Sequence, residues 1–68
     1  MRVKYFSDTD TAYVEFTDKE VIETKKISEN ITIDIDGKGS IVSMTIEHAK
    51  DSAGLWEFSY QEMSRQTA

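Results

Sequence analysis

Hydrophobic and polar residues alternate along most of the chain with the period of a β-strand. Val3 and Tyr5 alternate with Arg2, Lys4 and Phe6. The polar stretch Ser7-Asp8-Thr9-Asp10 follows, made of residues that bond their own backbone and so favour turns. Ala12, Val14 and Phe16 then alternate with Tyr13 and Glu15. Pairing Tyr5 with Ala12 and Val3 with Val14 places one apolar face on this hairpin and leaves residues 7–10 as an ordinary hairpin loop. Thr17-Asp18-Lys19-Glu20 is the next break. Residues 21–27 form a weaker strand interrupted by Lys25-Lys26, and charges of that kind suit a sheet edge, where Lys discourages pairing with other chains.

A second hairpin is the clearest feature. Ile31, Ile33 and Ile35 alternate with Thr32, Asp34 and Asp36, and Val42, Met44 and Ile46 alternate with Ser43, Thr45 and Glu47. Between them lies Asp36-Gly37-Lys38-Gly39, where Gly tolerates the positive φ of a tight turn. A shared apolar face requires odd positions to pair with even ones, so Ile35 is expected opposite Val42 or Ser40. The fold class predicted is mainly β, with a β-rich α+β arrangement as the variant. It is a single domain over residues 1–68, an antiparallel meander of four to five strands with a short C-terminal helical or extended tail.

The tail carries two patterns. Trp56, Phe58 and Tyr60 alternate with Glu57, Ser59 and Gln61, while Trp56, Tyr60 and Met63 sit at helical spacing. Asp51 or Ser52 is placed to cap such a helix. Aromatics favour strands, and Gly54 weakens a helix reaching upstream of Leu55. The expectation is an extended aromatic segment over 55–60 and a short helical or frayed piece over 61–66.

Composition narrows the function classes. A chain of 68 residues is near the lower limit for independent folding. Its core supplies about 3–5 kcal/mol at most. With Cys 0, neither a disulfide nor a thiolate zinc site is available, and self-association is the remaining common remedy. The formal net charge of -5 argues against nucleic acid, which needs a positive surface, and only Lys25 and Lys26 adjoin among the bases. Met1-Arg2-Val3-Lys4 passes straight into a charged stretch, without an apolar leader or membrane span, so a cytoplasmic protein with no membrane partner is expected.

Candidate chemistry is sparse. Asp34-x-Asp36-Gly37-Lys38 begins like a calcium loop, but Lys38 and Thr45 stand where oxygen ligands belong, so a Gly-containing turn with solvated acids is the better reading. His48, the only histidine, has no partner motif and shares the parity of Ile46 and Met44, which places it at the end of the apolar face as a packing residue. Asp8, Asp10, Asp34 and Asp36 form a carboxylate site only if both turns lie at one end of the sheet. No serine elbow is present. The expectation is therefore no enzyme, with no catalytic, metal or cofactor residues assigned. Trp56, Phe58 and Tyr60 complete the core or form an interface.

The order of motifs carries a resemblance. Lys4 with its neighbouring Tyr5, then Asp10-x-x-Tyr13-Val14-x-Phe16, forms one half. Ile33-Asp34-x-Asp36-x-x-Gly39-x-Ile41-Val42, followed by Ile46-Glu47-x-Ala49, forms the other. Over roughly residues 1–50 this resembles the short prokaryotic proteins grouped as domain-of-unknown-function family 2283. The family usually has Gly at the position of Ser43 and Asp or a similar residue at Phe6, departures that concern turns and packing. The resemblance implies a small β-rich fold and transfers no catalytic residue. Members sometimes neighbour small toxin-like genes, which implies an antitoxin-type role. The expected function is a non-enzymatic protein-interaction module, acting as a homodimer or on a small basic partner. The alternative is a small-molecule or metal-binding domain that uses the Asp-rich turns of an oligomer.

Overall fold

In the computed structural model, which describes residues 1–54 and 57–64, the alternating stretches become five strands. These are β1 (Arg2–Phe6), β2 (Thr11–Glu15), β3 (Glu23–Lys26), β4 (Ile31–Ile35) and β5 (Ile41–Glu47), followed by a short helix, α1 (Ala49–Ala53). The strands make one open antiparallel sheet in the order β1-β2-β5-β4-β3. The fold is mainly β, as the alternation predicts.

The first hairpin has the expected register, with Val3 opposite Val14 and Tyr5 opposite Ala12. Connectivity is sequential within the two terminal hairpins and around the β3–β4 turn, but β2 pairs with β5 and not with β3. Residues 16–22 carry the chain from β2 to the far edge, across the ends of β5 and β4. Three strand spacings span about 14 Å, well within the reach of seven extended residues, about 23 Å. The crossing is tied down by its backbone. Phe16 and Thr17 N–H donate to the Val42 carbonyl at 2.8 and 3.2 Å, and Ile22 N–H donates to the Ile35 carbonyl at 2.8 Å. The Lys-bearing strand β3 lies at an edge, as its charges suggest, and every one of its residues is exposed.

The β4–β5 hairpin keeps its apolar parity, with Ile31 opposite Ile46 and Ile33 opposite Met44. Its turn end differs from expectation: Ile35 faces Ile41, neither Val42 nor Ser40. A bulge causes this shift, since Asp34 pairs with Ser43 and Val42 is left as the extra residue. Val42 is buried, and its carbonyl is the acceptor for the crossing segment, so the bulge re-aims that group from the ladder toward residues 16–17. In the turn, the Asp36 carboxylate accepts from the N–H groups of Lys38 and Ser40, both at 2.9 Å. Gly39 at φ 83 supplies the left-handed step.

The tail departs from the sequence reading. A short helix forms earlier, at Ala49–Ala53, and the residue at its start is His48, not Asp51 or Ser52. Gly54, at φ 63, ends the helix by donating its N–H to the Ala49 carbonyl. Residues 57–64 are neither strand nor helix and are exposed throughout, so the expected tail carries no regular element over its described part. Leu55, Trp56 and residues 65–66 lie outside the described residues.

Candidate functional site

The register sorts side chains onto two unlike faces. One cross-strand row reads Arg2, Glu15, Ser43, Asp34, Thr24 through all five strands. It is linked by polar contacts. Arg2 Nε lies 3.5 Å from Glu15 Oε1, the Ser43 hydroxyl donates to Asp34 Oδ2 at 2.6 Å, and the Thr24 hydroxyl donates to Asp34 Oδ1 at 2.7 Å. Ser43 is fully buried, which a hydroxyl tolerates because this bond satisfies it. The next row on that face, Lys4, Tyr13, Thr45, Thr32, Lys26, is also polar.

The opposite face is apolar. Val3, Val14, Met44 and Ile33 form one row, and Tyr5, Ala12, Ile46 and Ile31 form the next. Ile35 and Ile41 extend it at the bulge. Among the described residues the only buried hydrophobic side chains are Ala12, Ile35, Val42 and Ala49. The larger members of the two apolar rows are half-buried, and Ile41 is 47% exposed. The α1 segment packs at one end of β5, and its Ala49 is buried along with Ala12. In the described tail, Phe58 is 58% exposed and Tyr60 73%. The radius of gyration, 14.3 Å, exceeds the about 11 Å of a well-packed domain of this length, an excess to which the single-layer sheet and the exposed residues 57–64 both contribute.

A polar corner closes the α1 end. Asp10 takes a left-handed conformation at φ 53, which Asp accepts more readily than most residues. Its carbonyl accepts from Ala49 N–H at 2.8 Å, and its Oδ1 accepts from the Tyr5 hydroxyl at 2.7 Å and Lys50 N–H at 3.1 Å. Lys50 Nζ sits 5.1 Å from the centre of the Tyr5 ring. The Tyr5 bond is the main reason the Asp10 carboxyl titrates below its ordinary value. The Lys50 N–H adds to this, partial burial opposes it, and the Asp51 N–H and His48 charge add lesser pulls. The same bond raises the Tyr5 hydroxyl, with burial and the charges of Asp10 and Asp51 acting in the same direction.

One sequence expectation is corrected here. His48 does not continue the strand as a packing residue. It breaks from β5 at φ 54 and is exposed, and one of its ring nitrogens lies in a group with carboxylate oxygens of Asp10 and Asp51, all within 4.8 Å of one another. The condition for a site built from the four turn acids is not met. Asp8 and Asp10 lie at the sheet end where Thr11 faces Glu47, whereas Asp36 lies in the turn at the other end and Asp34 sits within β4. The calcium-like segment uses its acids internally: Asp34 binds Thr24 and Ser43, and Asp36 binds its own turn. Of the proposed interface aromatics, Phe58 and Tyr60 are exposed, and Trp56 lies outside the described residues.

The apolar parity and the Asp10 turn both fall within the part of the chain that a family profile recognises. Residues 2–50 match the family described as "Protein of unknown function (DUF2283)". The chain belongs to that family. The match spans β1 to β5 and the start of α1, while residues 51–68 lie beyond it. Comparison with curated proteins and with solved structures finds no match. No helix among the described residues is long and apolar enough to cross a membrane.

Proposed function

We propose that the protein is a non-enzymatic interaction module whose working unit is a homodimer joined through the apolar face of the sheet. The observation that carries this reading is the half-buried double row Val3–Val14–Met44–Ile33 and Tyr5–Ala12–Ile46–Ile31, which no described segment covers beyond α1 at one end. A lone sheet needs a second layer, and another copy of the same face supplies one about a two-fold axis. Four strands 4.8 Å apart and five residues long present about 300 Å² of flat face per chain, about 600 Å² for the pair, which is below the about 1,200 Å² of a standard interface, so the face alone supports a weak association and further contact area is needed. The aromatics Trp56, Phe58 and Tyr60, alternating in sequence, are the residues proposed to add contact area to this joint, Phe58 and Tyr60 being exposed.

Light scattering from low to high micromolar concentration tests the reading. A mass rising from one chain to two supports it, and a monomer mass unchanged over the range overturns it. A small basic partner, such as a toxin paired with an acidic antitoxin, is the competing occupant of the face. That alternative predicts a monomer alone and a heterodimer on mixing. Turnover of a generic ester or phosphate ester by the purified chain would contradict the non-enzymatic part.

A further inference from the structure

At the corner beside α1, three chain segments converge: the β1–β2 turn brings Asp10, the end of β5 brings His48, and α1 brings Asp51. One imidazole nitrogen and two carboxylate oxygens there lie within 4.8 Å of one another. From this geometry we infer that Asp10, His48 and Asp51 bind one borderline divalent cation of the Zn²⁺ type, leaving at least one coordination position open to water.

The donor set selects the ion class. Carboxylates alone suit Ca²⁺ and Mg²⁺, which take oxygen ligands in larger number. An imidazole among them moves the preference to Zn²⁺ and its neighbours, which accept mixed nitrogen and oxygen ligands at low coordination number. His48 is the only histidine of the chain, so the site has no competing imidazole. Three protein ligands with an open fourth position is the usual arrangement of an accessible zinc site.

The spacing is right for an empty site. Zinc bonds of about 2.0–2.2 Å place ligand atoms about 3.3 Å apart in a tetrahedron. The three atoms here lie within 4.8 Å of one another, and side-chain rotation of His48 and Asp51, both at exposed positions, brings the group to bonding distance. Asp10 is the fixed member. Its carboxylate is oriented by the Tyr5 hydroxyl and Lys50 N–H, the kind of outer support that holds a ligating carboxylate. The inference does not depend on dimerisation, because all three ligands belong to one chain.

Titration calorimetry of the untagged full chain with Zn²⁺ alone, followed by NMR of the His48 ring, tests it. The expected result is one Zn²⁺ per chain, with a shift of the His48 ring nitrogens and binding at least tenfold tighter than for Ca²⁺ or Mg²⁺. His48→Asn suits the comparison because Asn accepts the left-handed backbone of this position. It and Asp51→Asn should each weaken binding tenfold or more, while Glu29→Gln leaves it unchanged. Ca²⁺ binding as tight as Zn²⁺, affinity intact in His48→Asn, or an unshifted His48 ring at millimolar Zn²⁺ would each overturn the inference. The ring shift is read on the native chain, so the outcome stands even if a variant folds poorly.

Discussion

Replacing Met44 with aspartate tests the proposed joint at its centre. Met44 is the middle residue of a row running through all five strands, with Val14 and Ile33 on either side and Val3 and Lys25 beyond them. A two-fold axis brings two copies of this position into one interface, so the substitution acts twice. Fully burying a methionine side chain contributes about 1.5–3 kcal/mol. Met44 is already half-buried in the single chain, so the lower figure applies to each copy. Two copies give about 3 kcal/mol, or more than a hundredfold in the dissociation constant. Two carboxylates desolvated without partners raise the penalty further. A dimer with a micromolar dissociation constant should therefore weaken to one of about 100 µM or more, leaving the chain mostly monomeric from about 1 to about 50 µM. Sedimentation equilibrium over that range gives the mass, and circular dichroism confirms the sheet. Met44→Leu, which conserves volume, should leave association within a few-fold of the wild type. Val14→Thr keeps β-propensity and places one hydroxyl on the face, so it supplies a milder variant if Met44→Asp unfolds. A folded Met44→Asp chain that associates as tightly as the wild type would refute the reasoning.

Further outcomes follow from other contacts. Asp34→Ala removes the acceptor of the buried Ser43 hydroxyl and should cost about 1–3 kcal/mol in urea unfolding, whereas Asp34→Ala with Ser43→Ala together should cost less than the sum. The Asp36 carboxyl titrates below its ordinary value of 3.8, chiefly because Ser40 and Lys38 N–H groups bond its ionised form. A depressed carboxyl stabilises the fold above its unfolded value, and that stability is lost as pH falls below 3.8 toward the folded value. Asp36→Asn should flatten the acid limb of a thermal-unfolding series, and an unchanged limb would contradict the assignment. Trp56→Ala should weaken association more than Tyr13→Ala, because Tyr13 lies in the polar row with Thr45 and Thr32, which sedimentation of the two variants compares directly.

Local pairing was legible in the sequence, and long-range pairing was not. The register of Val3 with Val14 follows from two alternating runs and the length of one loop. The odd-to-even parity of Ile33 with Met44 follows in the same way. Nothing in the local pattern announces that β5 inserts between β2 and β4, because strand order is chosen by which apolar stripes fit side by side. The bulge at Val42 is similarly hidden, since it answers to the amides of Phe16 and Thr17 arriving from the crossing segment. The polar corner depends on both. Asp10 and Lys50 are bonded across forty residues, and only the pairing of Thr11 with Glu47 makes them neighbours. Drawing the β2–β5 ladder would have put Asp10 beside His48. Strand parity alone sent His48 to the apolar face, because it gives no sign that the backbone turns left-handed there.

The most direct measurement of the central claim is an isotope-filtered NOE experiment on a mixture of labelled and unlabelled chains. The account predicts intermolecular NOEs from the Met44 methyl to the methyls of Val14 and Ile33 in the other copy, with none to Thr45 or Thr32 on the polar face. A spectrum without intermolecular NOEs at a concentration of several hundred micromolar, with the Met44 methyl strongly relaxed by a soluble paramagnetic agent, would contradict it.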